Sequence, residues 1–276
     1  MESAVKQVGE FTVTALSDGF LSVSPELLTG ITPEQAIDLQ TRAGIADPSS
    51  VHINSYLVRG QGRTVLIDAG AGGFKQWGGK MTASLAGAGV LPSDIDCILL
   101  THAHPDHIGG LTDEAGQALF PHAELVIHQQ EIDFWQDDAS LSRATERARG
   151  NFLFARNIFD LYRLNIRTFS HGEVLPGITA LPLPGHTAGH CGYLLNSADQ
   201  GLLVWGDIVH FPEIQISHPQ VSIAFDQNPL QAADARLRLL EQVSADKLLV
   251  AGMHFADAGF AVIRKQGKSF QLSYER

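Results

Sequence analysis

The sequence predicts an α/β domain made of two similar strand-rich halves with helices outside. Three observations carry this reading. Apolar β patterns recur in both halves of the 276 residues, helical patterns separate or flank them, and four strand patterns end in histidine or aspartate. The length suits one domain, 1–276, with a sizeable core. Hydrophobic residues at 44% and charged residues at 18% give an ordinary globular balance.

Residues 11–16 alternate and read as a strand, and Asp18-Gly19 signals a turn before a second strand at 20–23. Residues 24–50 look irregular, apart from a helix start at Thr32 with Pro33 in the first helical position. Residues 51–58 and 64–68 read as strands joined through Gly60 and Gly62. A helix is expected over 82–89, with strands over 95–100 and 123–128. From 129 to 163 the chain reads as mostly helical, because Leu141, Ala144, Ala148, Phe152, Ala155, Phe159 and Tyr162 recur at helical spacing. This helix packs on the sheet, or else it caps a site with Phe134, Trp135, Phe152 and Phe154. Apolar segments at 178–184, 201–205 and 247–253 supply further strands, 229–243 a helix, and 261–264 with 269–272 two terminal strands.

The densest chemistry follows the apolar run Ile98-Leu99-Leu100. His102, His104, Asp106 and His107 fall within six positions. Imidazoles one residue apart project to the same side of an extended chain. Asp106 and His107 come where the chain would turn into a helix, so ligands from a strand end and the next turn can serve two adjacent metal ions. His186, Asp207 and His254 each follow another strand pattern, at the place where α/β sheets usually put their ligands.

Other signals are weaker. Asp68-Ala-Gly-Ala-Gly-Gly has the wrong glycine spacing for a dinucleotide loop. Asp68 reads either as a carboxylate supporting a ligand imidazole or as a turn residue. His186 and His190 are four apart, but Pro184 and Gly185 put His186 in a turn. His186 is therefore the expected ligand and His190 a packing or hydrogen-bonding neighbour. His210, three residues after Asp207, is a candidate for contact with substrate or with the ligands. His52, His122, His128, His171 and His218 lack such context and read as surface or core residues.

Formal net charge of -11 argues against a nucleic-acid partner. The two cysteines, Cys97 and Cys191, lie in apolar stretches and read as buried free thiols. Neither a membrane-spanning run nor a signal-peptide pattern is expected, and the compartment is left open.

The pattern His-x-His-x-Asp-His at 102–107, followed in order by His186, Asp207 and His254, resembles the metallo-β-lactamase superfamily. The resemblance implies a four-layer αββα sandwich. It also implies two divalent metals, zinc by default with Mn, Co or Fe as alternatives. His102, His104 and His186 would hold one, Asp106, His107 and His254 the other, and Asp207 would bridge. Asp207 stands where the best-known zinc β-lactamases carry cysteine, which weakens an antibiotic-hydrolase reading. His104 stands where flavodiiron oxygen reductases usually have a carboxylate. Only residues 255–276 follow His254, so a glyoxalase II-type C-terminal domain is not expected.

Local strings around 101–111, 205–210 and 219–226 resemble the methyl parathion hydrolase branch, which is related to lactonases. Ala188 departs from the proline many relatives carry there. The branch implies hydrolysis of lactones, esters or organophosphate triesters by a metal-bridging hydroxide. Asp106 and Asp207 are the catalytic carboxylates on this reading, and Asp106 relays a proton. It further implies a homodimer, a small-molecule substrate, and a pocket walled by Phe74, Trp77, Trp135 and Phe154, with Phe152 as the alternative to Phe154. His210 joins these as a substrate contact. An iron-dependent sulfur dioxygenase or a thioester hydrolase of the same superfamily is the competing expectation.

Overall fold

Strand alternation decides the layers. In successive strands of the first half, Val65 and Ile67 face one way and Leu66 the other, as do Cys97 and Leu99 against Ile98. The computed structural model describes residues 4–256 and 259–275. Its first half runs β1 (Val5–Val8), β2 (Phe11–Ser22), β3 (Leu28–Thr29), α1 (Pro33–Arg42), β4 (Ser50–Gly60), β5 (Arg63–Ile67) and α2 (Met81–Gly87). There follow β6 (Cys97–Leu99), α3 (Pro105–Ile108), β7 (Glu124–His128), α4 (Gln129–Gln136), α5 (Asp138–Arg143), α6 (Glu146–Tyr162) and β8 (Ile166–Phe169). The second half has β9 (Gly172–Leu175), β10 (Ile178–Pro182), β11 (Cys191–Ser197), β12 (Gln200–Val204), α7 (Pro212–Gln215) and β13 (Ser222–Ile223). It ends with α8 (Pro229–Ala245), β14 (Leu249–Ala251), β15 (Phe260–Gln266) and β16 (Ser269–Tyr274).

Two seven-stranded sheets result, ordered β1-β2-β4-β5-β6-β7-β8 and β16-β15-β14-β12-β11-β10-β9. Their facing sides share one core, in which Tyr56, Val65, Ile67 and Leu99 meet Tyr193, Leu195, Val204 and Met253. Leu66, Ile98 and Ile127 on the outer side of the first sheet pack on Leu85 of α2, Ile108 of α3 and Phe152, Ile158 and Phe159 of α6. Leu203, Val250 and Ile263 of the second sheet pack on Leu239, Leu240 and Val243 of α8. The molecule is thus the αββα sandwich that the resemblance implied.

The structure differs from the sequence reading at several elements, including β1, β8 and β9, which that reading did not mark as strands. The turn expected at Asp18-Gly19 is a register shift inside a continuous β2. Asp18 is buried, and its carboxylate accepts the N–H groups of Ala71, Gly79 and Met81 at 2.8, 2.9 and 2.8 Å. A residue typical of turns is here the anchor of a distant loop. The helical stretch from 129 is three helices, because Asp137 and Thr145 turn their side chains onto the N–H groups that start α5 and α6. β11 was not anticipated: it begins directly after the Gly185–His190 turn, at a cysteine read only as a buried thiol.

Helix α3 is held against the loop after β5. Ala69 N–H donates to His107 O at 2.8 Å and Gly110 N–H to Gly70 O at 3.1 Å. A Cβ on Gly109 or Gly110 would stand 2.0 Å from Ala71 O or Ala69 O, so only glycine permits this approach. Gly110→Ala is therefore expected to force the two segments apart and destabilise the fold by about 3 kcal/mol. Urea unfolding measures this, and a loss below about 0.5 kcal/mol would contradict the packing.

Candidate metal centre

Parallel pairing of β5 with β6, and of β12 with β14, brings four strand ends to one edge of the sandwich. Asp68, Thr101-His102, Asp207 and His254 follow these ends. His104 precedes α3, which carries Asp106 and His107, and the turn after β10 delivers His186.

The seven expected ligands converge in two groups that share Asp207: His102, His104, His186 and Asp207, and Asp106, His107, Asp207 and His254. In the first group His102 Nε2 lies 3.0 Å from His104 Nδ1 and 3.2 Å from His186 Nε2, and the last two rings approach to 2.8 Å. Asp207 Oδ2 is 3.7 and 3.5 Å from the His102 and His186 nitrogens. In the second group Asp207 Oδ1 is 3.1 Å from His107 Nε2 and 3.2 Å from His254 Nε2, while Asp106 Oδ2 is 3.5 and 3.9 Å from the same nitrogens.

These contacts fit cations better than hydrogen bonds. A neutral imidazole has one N–H and one lone pair. Asp226 lies 2.9 Å from His186 Nδ1, and the Thr101 hydroxyl 3.1 Å from His102 Nδ1, so the ring protons are engaged there. The Nε2 lone pairs then face each other without a proton between them. A tetrahedral zinc with bonds of about 2.0–2.1 Å spaces its ligands about 3.3 Å apart, close to the separations seen. His107 Nε2, His254 Nε2 and Asp207 Oδ1 are likewise buried without a protein hydrogen-bond partner. The donor set fits divalent metals.

Outer partners orient the rings. Asp68 Oδ2 lies 2.7 Å from His107 Nδ1, and the same carboxylate accepts the backbone N–H and hydroxyl of Thr101 at 2.8 and 2.7 Å. His254 Nδ1 donates to His52 O at 2.7 Å. His190 is not a ligand. Its Nδ1 donates to Leu183 O at 2.7 Å and its Nε2 accepts the Asp207 N–H at 2.9 Å. Burial pushes His190 down to about 3, which keeps that acceptor unprotonated.

Sequence reasoning missed Asp226 and Glu131. Glu131, fully buried, accepts the N–H groups of Ala103 and Gly189 at 3.0 and 3.1 Å, the Trp135 indole N–H at 2.9 Å, and the Thr187 hydroxyl. It ties the His102–His104 segment to the His186 turn. Asp226 lay inside a string that signalled the resemblance, but nothing local marked its role. The Cys191 thiol points toward Thr101 O at 3.6 Å, and Cys97 lies in the core between the sheets.

Burial and neighbouring rings hold His102 and His104 well below the usual imidazole range. Burial opposes charge on His107 as well, but the carboxylates of Asp207, Asp106 and Asp68 outweigh it and raise the group. The reverse holds for Asp207. Burial disfavours its charge, yet the rings of His107, His254, His210 and His102 keep it well below the carboxylate range.

A cavity of about 230 Å³ opens onto the cluster, with His104, Asp106, His186, Asp207 and His254 among its lining. Trp77, Trp135 and His210 line it. Phe74 and Phe154 do not; their rings pack on each other at 4.6 Å. Phe152 takes the cavity position, since two residues along a helix turns a side chain to the opposite face. Phe134 and Phe225 complete the aromatic wall.

Removing an outer partner leaves the ligand in place but frees its ring. Asp226→Ala is expected to weaken metal affinity about 10–100-fold, measured by competition with a chromophoric chelator. Unchanged affinity would mean that Asp226 does not orient His186.

Residues 50–254 match the family model for the metallo-beta-lactamase superfamily. Uncharacterized protein YobT of Bacillus subtilis is 30% identical over 167 residues, 58% of this chain and 63% of that protein. The probable metallo-hydrolase YqgX of the same organism is 29% identical over 58% of this chain and 67% of its own. The chain thus spans about two thirds of these curated relatives. Among solved structures, the hydrolase AbOPH of the beta lactamase superfamily superposes with a TM-score of 0.92 at 27% identity, over 100% of this chain and 98% of that one. AidC, a dizinc quorum-quenching lactonase solved with a homoserine product, superposes at 0.91 with 24% identity over 100% and 98%, and so speaks for the fold alone. With its fold, its ordered pattern of candidate ligands and the match over 50–254 in agreement, the chain belongs to the metallo-β-lactamase superfamily.

Proposed function

We propose that the protein is a dinuclear metal-dependent hydrolase of uncharged lactones and esters, with organophosphate triesters as further substrates. One observation carries the reading. Five of the seven donors, His104, Asp106, His186, Asp207 and His254, line a cavity walled by Leu21, Trp77, Phe134, Trp135, Phe152 and Phe225, and among the described residues no lysine or arginine lines it. Such a wall desolvates an apolar acyl or aryl group and offers no counterion to a charged one.

His102, His104 and His186 would hold one cation and Asp106, His107 and His254 the other, with Asp207 between them. Divalent metals bound there would lower the pKa of a water to about 7 and polarise the substrate oxygen. The chain's own residues supply the remaining work. The aromatic wall positions the electrophilic carbon or phosphorus over the ligands and excludes solvent. Asp106, only 9% exposed and on the cavity surface, accepts the nucleophile's proton and passes it to the leaving oxygen. Asp68 and Asp226 keep the ligand rings from turning during this exchange.

The cavity lining supports this reading over a thioester reading. A glutathione thioester brings carboxylates that this lining does not meet. The test is a panel of an aryl lactone, an acyl-homoserine lactone and an aryl phosphotriester, each paired with a carboxylate-bearing analogue. Neutral substrates are expected to turn over, with kcat/KM at least ~100-fold above the anionic analogues, the ~2.7 kcal/mol equivalent of that ratio. Metal-loaded His102→Ala is expected to lose at least ~1,000-fold in kcat, about 4 kcal/mol of barrier. Full activity in that variant, or preference for the anionic analogues, contradicts the proposal.

A further inference from the structure

The loop between β5 and α2 carries Trp77 into the wall of the substrate cavity. One side chain outside the loop holds both of its ends. Asp18 Oδ2 accepts the N–H of Ala71 at 2.8 Å, where the loop begins. Its Oδ1 accepts the N–H groups of Gly79 and Met81 at 2.9 and 2.8 Å, where the loop ends. Backbone bonds run beside the carboxylate: Lys80 N–H donates to Asp18 O and Gly78 N–H to Phe20 O, both at 3.0 Å. The fit is close. A Cβ on Gly78 would stand 1.9 Å from Asp18 Oδ2, and one on Gly70 2.6 Å from Asp18 Cγ.

The loop needs such a clasp. Gly72, Gly73, Gly78 and Gly79 make its chain costly to order. Lys75 and Gln76 hold φ of +49 and +68, backbone that residues with side chains rarely adopt. A segment of this kind keeps one conformation only where its surroundings over-determine it. Hydrogen bonds to a charged acceptor are the strong ones, and the buried Asp18 carboxylate supplies three of them. Trp77 is tied to the loop through its backbone. Gly73 N–H donates to Trp77 O at 3.0 Å, and Trp77 N–H to Phe74 O at 2.8 Å. The Phe74 ring packs on Trp77 at 5.8 Å and on Phe154 at 4.6 Å, which fixes the middle of the loop against α6.

We propose that Asp18 is a positioning residue: it clasps the two ends of the 71–81 loop, sets the place of Trp77 in the cavity wall, and so makes this loop a determinant of which aryl or acyl group the site accepts. The substrate part rests on the hydrolase reading; the clasp itself does not. Asp18 belongs neither to the cavity lining nor to the two ligand groups, so it acts through Trp77. The hydrogen bonds that hold α3 and its ligands involve Ala69 and Gly70, ahead of the clasp. Opening the clasp therefore weakens substrate binding and spares the metal centre and the chemical step.

The chain has three tryptophans, Trp77, Trp135 and Trp205, so fluorine NMR of protein labelled with fluorotryptophan reads the clasp without substrate. The Trp77 signal is assigned by its loss in Trp77→Phe. In Asp18→Asn one acceptor oxygen becomes an NH2 group that faces N–H donors, so only one end of the loop stays bound. The expected result is a shifted or broadened Trp77 signal, with those of Trp135 and Trp205 unmoved. Displacement of all three signals, or of none, overturns the proposal. Gly78→Ala presses on the same carboxylate from the loop side and gives the same test if Asp18→Asn does not fold. With an aryl lactone, Asp18→Asn is expected to raise KM about tenfold, about 1.4 kcal/mol, with kcat and metal content unchanged. In a Trp77→Ala background the same substitution is expected to add less than about twofold to KM. The full increase in that background, or a fall in kcat with KM unchanged, overturns the assignment of Asp18 to Trp77. Absence of turnover in the unmodified protein would count against the hydrolase reading alone, leaving the fluorine signals to judge the clasp.

Discussion

Asp207 is the single carboxylate that both ligand groups share, and its position governs the rest of the centre. Its Oδ1 faces His107 and His254, and its Oδ2 faces His102, His186 and His210. The backbone around it is held for this purpose. Asp207 N–H donates to His190, and Gly206 at φ +60 has no room for a Cβ beside the same ring. The edges of the two sheets therefore meet at one turn after β12. Five imidazoles and the carboxylates of Asp106 and Asp207 converge there, and divalent cations would turn the same atoms into a closed set of ligands. Binding to the folded state alone also stabilises it by mass action.

The seven candidate ligands were legible as a group because His102, His186, Asp207 and His254 follow strand patterns, and because four of the seven sit within one short string. Asp68 was readable for the same reason, lying at the end of β5. What sequence did not show are the partners made by folding at a distance. Asp226 meets His186 across 40 positions, and Glu131 meets Ala103 and Thr187 across 28 and 56. A carboxylate or amide of this kind has no local pattern, since any solvated helix face carries similar residues.

Aromatic positions were harder than ligands. Trp77 and Trp135 reach the cavity, but Phe154 was expected where Phe152 lies, a matter of helix phase that the interruption at Thr145 reset. Phe74 sits in a loop whose next residues, Lys75 and Gln76, have φ of +49 and +68. Such backbone is not foreseeable from residue type. Asp18 was misread for a related reason: turn chemistry was recognised correctly in kind, but its carboxylate serves the loop at 71–81 rather than its own strand.

The central claim is that two groups of buried donors sharing Asp207 hold two cations side by side. Metal-to-protein ratio after loading and exhaustive dialysis, combined with anomalous scattering from crystals of the same sample, tests it most directly. The account predicts two divalent ions per chain, one among His102, His104 and His186 and one among Asp106, His107 and His254, with Asp207 reaching both. A single ion at full loading, or ions bound away from Asp207, would contradict it.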